Sequence, residues 1–74
     1  MVRQNKMYSK EKDKIQNYLR GKFNTDVINV VDRPQKSDSM EVYVGDEFIG
    51  VIFRDEEDGE ISYSFNMAIL DIDL

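Results

Sequence analysis

From Ile61 onward the chain alternates with a period of two. Ile61, Tyr63, Phe65, Met67 and Ile69 take one side, and Ser62, Ser64, Asn66 and Ala68 take the other. Held over nine residues, this period requires an extended strand with one oily face, and it excludes an amphipathic helix there. A one-sided strand needs neighbours and a cover, so it constrains the rest of the chain. The chain has only 74 residues, close to the lower limit for folding without staples. It has no Cys for disulfides or thiolate metal sites, and no His to act as a base or ligand.

Three further strands are legible upstream. VINVV, residues 27–31, is a β-branched run. Pro34 and the polar QKSDS after it read as a loop. Met40, Val42 and Val44 share one face of the next strand, with Glu41 and Tyr43 on the other. After a turn at Gly45-Asp46-Glu47, Ile49, Val51 and Phe53 share a face of the third strand. Extending this face through both hairpins sets Val44 opposite Ile49, Val42 opposite Val51 and Met40 opposite Phe53, with Tyr43 across from Gly50. An aromatic ring can cover a strand glycine in that position.

The segment RDEEDGE, residues 54–60, joins the last two strands. With Glu57-Asp58-Gly59 as a three-residue loop, Phe53 faces Tyr63, Val51 faces Phe65 and Ile49 faces Met67. A two-residue Asp58-Gly59 turn instead puts Ile52 against Phe65 and Phe53 against Ser64. That divides the apolar set, so the three-residue loop is expected.

The cover is an N-terminal helix expected over residues 10–21. Ser9 suits its cap, Glu11 and Asp13 its first turn, and Arg20 and Lys22 its last. Ile15, Tyr18, Leu19 and Phe23 form its apolar stripe, and Gly21 is a plausible end. The expected architecture is α+β, with one N-terminal helix packed on a four-stranded antiparallel meander sheet in the order α-β-β-β-β. Residues 1–8 are expected to be a flexible leader, and residues 9–74 a single domain.

Few chemistries survive this inspection. An EF-hand loop with Gly59 at position 6 would have Arg54 at position 1 and Phe65 at position 12, which fails at both ends. A hairpin tip offers paired acids no cleft to separate their pKa values, and no glycine-rich phosphate loop is present. No enzyme, metal or cofactor is expected. No apolar run reaches membrane length. The opening MVRQNKMYSK lacks the apolar core of a secretory signal, so a cytoplasmic location is expected.

Charge suggests one alternative. The net charge of −5 divides into seven Lys/Arg against two acids over residues 1–22, and three against thirteen over residues 23–74. A nucleic-acid accessory role would use Lys6, Lys10, Lys12, Lys14, Arg20 and Lys22. They spread around the helix, however, as lysines on a wet side do, and the acidic remainder repels phosphate.

A protein partner, or a second copy of the chain, is the preferred expectation. Tyr43, Phe48 and Ile52 are expected on the outer face of the sheet, near Ser62, Ser64 and Asn66. In ILDIDL the apolar phase changes: Ile69 continues the inner face, but Leu70, Ile72 and Leu74 fall on the outer one. A bend near residue 69 or 70 would re-aim them to cover that face or to meet another chain.

The motifs GDEFIG, RDEEDGE and MAILDIDL, with IQNYLRGKF and DRPQKSD before them, resemble a family of short alphaproteobacterial proteins described only as a domain of unknown function. The resemblance covers roughly residues 8–74. It implies a small bacterial protein, usually of one domain, and supplies no activity, cofactor or site residue.

Overall fold

The computed structural model describes residues 9–74. The expected leader, residues 1–8, lies outside the described residues. Helix α1 spans Ser9–Phe23, followed by β1 (Ile28–Arg33), β2 (Lys36–Val44), β3 (Glu47–Glu57), β4 (Glu60–Met67) and a 3-10 turn at Asp71–Asp73. The strands form one antiparallel sheet in chain order, β1-β2-β3-β4. The expected α+β meander is therefore what the chain adopts.

The helix runs past Gly21, and Asn24 ends it in the left-handed conformation at φ 54°. The Asn24 amide donates to Gly21 O at 3.3 Å and the Thr25 amide to Arg20 O at 3.0 Å. Those two bonds form a Schellman motif, which satisfies carbonyls the helix leaves open. The loop expected after Pro34 shrinks to Pro34-Gln35, with Gln35 at φ 63°, and the polar residues from Lys36 onward belong to β2.

Two registers differ from the alternation count. In the β2–β3 hairpin, Val44 pairs with Glu47 and Tyr43 with Phe48, but Val42 pairs with Gly50. Ile49 is the extra residue of a β-bulge. A bulge inverts the facing of everything beyond it, so Gly50, Ile52 and Arg54 face the helix while Val51 and Phe53 face away. In the β3–β4 hairpin, Glu57 pairs with Glu60 around a two-residue Asp58-Gly59 turn, with φ 54° and 82°. Paired positive φ values match the twist of a hairpin better than a longer loop does. Ile52 consequently pairs with Phe65, and Phe53 with Ser64. The expected set of Phe53, Tyr63 and Phe65 on one face is overturned: Phe53 lies on the other side. The expected cover of Gly50 by Tyr43 also fails, because Gly50 faces inward beside the Phe65 ring.

The core holds Ile15 and Leu19 of α1 with Ile28, Val30, Met40, Val42 and Ile52 of the sheet, and Ile49 and Phe65 pack against it. Tyr18 and Phe23 of the predicted stripe stay exposed. The helix lies chiefly over β1, so the inner face of β4 is left largely in solvent, with Tyr63 41% exposed.

Candidate interaction surface

Of the residues expected on the outer face, Tyr43 and Phe48 are there and touch. Their rings meet edge to face, with centroids 5.7 Å apart and planes at 71°. The two-residue Gly45-Asp46 turn brings them together, because with Val44 paired to Glu47 they become a direct cross-strand pair. The Tyr43 hydroxyl donates to Glu41 Oε1 at 3.0 Å, which raises its pKa. Ile52 is a correction. It is 2% exposed, inside the core, and cannot meet a partner. Val51 and Phe53 take its place on the outer face, two residues that the parity count had put inside.

β4 stops at Met67, and the chain turns through the 3-10 segment. Leu70, Ile72 and Leu74 are all exposed, the last two by 88% and 91%. An open groove of about 950 Å³ lies between this segment and the outer face, with Phe48, Val51 and Phe53 on one side and Leu70 and Leu74 on the other. Ile72 does not line it.

A second, apolar cleft of about 420 Å³ lies on the inner face where the helix falls short of β4. Ile15, Tyr18, Ile52, Tyr63 and Phe65 line it. Tyr63 of this cleft also belongs to a polar cluster invisible to the period-two count. Arg54, on the inner face with its side chain 8% exposed, donates through Nε to Glu11 Oε2 at 2.7 Å and through Nη1 to Glu56 Oε1 at 3.0 Å. The Tyr63 hydroxyl donates to the same Glu11 oxygen. Two carboxylates hold the guanidinium proton more firmly than usual, the Glu11 bond most of all. Burial first, and then the bond to Glu11, raise the Tyr63 pKa. Arg54 is thus a strut between the helix start and the sheet, drawn from the acidic segment that looked like a bare turn.

The two margins of the sheet are treated differently. At β1, Gln16 Oε1 accepts from the Val30 amide at 2.9 Å, and Arg20 Nε donates to Ile28 O at 2.8 Å. Arg20 also reaches Asn29 Oδ1 at 2.9 Å. Lys12 stands 3.8 Å from Asp32. Two of the cations considered for nucleic acid are thereby engaged within the fold, and Lys6 lies outside the described residues. Among the described residues, no group of three or more acids converges on a point suited to a metal ion, and no helix is long and apolar enough to cross a membrane.

No curated protein and no solved structure matches the chain. The sequence pattern of the DUF3126 family, described as a protein of unknown function, matches residues 11–73. This span takes in most of the helix, all four strands and most of the exposed C-terminal segment, and the chain belongs to that family.

Proposed function

We propose that the protein is a non-enzymatic interaction module of the bacterial cytoplasm, working by protein contact and associating with itself. The observation that carries this is the C-terminal segment, which holds Leu70, Ile72 and Leu74 in solvent beside an outer face already bearing Tyr43, Phe48, Val51 and Phe53. In so small a domain, contiguous apolar surface of this kind marks a place where another chain sits. The non-enzymatic reading rests on composition, since the chain has neither His nor Cys, and on the openness of both grooves to solvent. The nucleic-acid alternative is disfavoured because Arg20 and Lys12 are tied to β1.

Sedimentation of the full chain at high micromolar concentration tests self-association, beside a version lacking residues 70–74. The full chain is expected to associate, and the shortened one to do so more weakly. Two monomers would overturn it. Tyr43→Ser with Phe48→Ser is expected to weaken partner capture while leaving the far-ultraviolet circular dichroism unchanged, because both side chains lie outside the core.

A further inference from the structure

Among the described residues, β4 is the open margin of the sheet. The closing pair of a two-residue hairpin exchanges both hydrogen bonds, and pairs then alternate along the ladder. With Glu57 and Glu60 as that pair, Ser62, Ser64 and Asn66 bond toward β3. The backbone amides and carbonyls of Ile61, Tyr63, Phe65 and Met67 point outward. A row of this kind invites another strand, and folds ordinarily blunt it with Lys, Pro or a covering element. The opposite margin is blunted in this way, since Gln16 and Arg20 occupy the outward groups of Val30 and Ile28. EISYSFNM, the β4 sequence, contains no Lys and no Pro.

We propose that the partner at this margin is a second copy of the chain, with β4 pairing antiparallel to β4 about a two-fold axis at Ser64. This rests on the self-association reading above and adds to the outer face and residues 70–74 a second contact, the β4 margin. The register is the one that engages every outward residue of β4: Tyr63 bonds to Phe65 of the second copy, and Ile61 to Met67. Paired residues in an antiparallel ladder share a face, so all four of these side chains fall on the helix side. There they extend the uncovered apolar strip, on which Ile61 is 49% and Met67 54% exposed. On the outer side Ser64 meets its own copy and Ser62 meets Asn66, so no charges oppose each other along the paired strands. The assembly is closed. It joins two four-stranded sheets, and the helix at each distal β1 margin stops further addition, so a dimer forms and not a fibre. Such a contact is small beside the roughly 800 Å² per partner of a standard interface, and a micromolar dissociation constant is expected.

Amide hydrogen exchange of the full chain, across a dilution series spanning the dimer–monomer transition seen by sedimentation, is the direct test. The Ile61, Tyr63, Phe65 and Met67 amides are expected to gain protection with concentration, while Ser62, Ser64 and Asn66 stay protected throughout. Ile61→Lys with Met67→Lys opposes like charges at both ends of the pairing and is expected to weaken the dimer by about tenfold or more. Retained protection at Ser62, Ser64 and Asn66 shows that this variant folds. Ile61→Lys chains mixed with Met67→Glu chains are expected to form mixed dimers in preference to either parent. A dimer whose four outward amides exchange freely, or one indifferent to both lysines, overturns β4 pairing and leaves self-association standing. A monomer at all concentrations overturns both. A monomer that captures another cytosolic protein overturns the β4 dimer and leaves the interaction reading intact.

Discussion

Arg54 shows how much one side chain can decide. It stands on the inner face of β3 because of the bulge at Ile49, and once there it must be paired, since a bare guanidinium among apolar groups is strongly disfavoured. Glu11 and Glu56 supply the pairing. Arg54→Met is expected to destabilise the fold by about 2–3 kcal/mol in urea unfolding, because it strips Glu11 of a close counter-charge at a poorly solvated site. Tyr63 shares that carboxylate, which gives a signature in pH. Its folded pKa lies above that of the unfolded chain, so its hydrogen bond stabilises fully below the ordinary tyrosine value. As pH rises beyond about 10 the unfolded chain loses the proton first, and that stability declines. Tyr63→Phe is expected to flatten this alkaline limb of the stability profile, with Tyr43, whose pKa is also raised, still contributing to it. Gly50 is a third decisive residue. A Cβ there would lie 2.7 Å from Phe65 Cε1 and would also run into the Asn66 carbonyl. Gly50→Ala is therefore expected to cost about 1–3 kcal/mol, measured by thermal or urea unfolding, through overpacking where the neighbour is backbone.

Among the elements, the hairpins carry the lesson. Asp58 and Gly59 both take left-handed backbone, the combination that a type I′ hairpin turn demands and that β-branched residues resist. Gly59→Val is expected to lower stability by roughly 1–2 kcal/mol and to loosen the Glu57–Glu60 end of the ladder first, visible as faster exchange there. The alternation from Ile61 announced β4, although the strand ends at Met67 and not at Ile69, and of the helix stripe Ile15 and Leu19 reach the core while Tyr18 and Phe23 do not. The register of β3 was not legible. Ile49 and Ile52 both reach the core although they differ in parity, and only a bulge permits that. Period-two counting assumes its absence. Ile52 was therefore placed outside and Phe53 inside, each the reverse of its position, and Arg54 was overlooked because a charge flanked by acids resembles an ordinary exposed loop.

For the molecule as a whole, one short helix covers a sheet too wide for it. It settles over β1, seals that margin with Gln16 and Arg20, and leaves β4 uncovered. Its reach follows from the loop between Asn24 and Val27, which ties the helix end to the start of β1, where Gly45 bonds to Val27 O at 2.9 Å. The net charge of −5 and the acidic hairpin tip make two copies repel at distance. Self-association is therefore expected to tighten as salt rises and screens that repulsion, readable by sedimentation across a salt series. Nucleic-acid binding would respond in the opposite sense.

What the amino-acid order determined by itself was local: where the chain must be helical or extended, where it turns, and that one oily face needs a cover, because periodicity and turn chemistry act over a few residues. Which face each β3 residue took, where the helix came to rest, and which margin of the sheet the helix left uncovered were decided only in the folded molecule. A single bulged residue reverses the facing of a strand, and the position of a cover depends on contacts between segments distant in the chain.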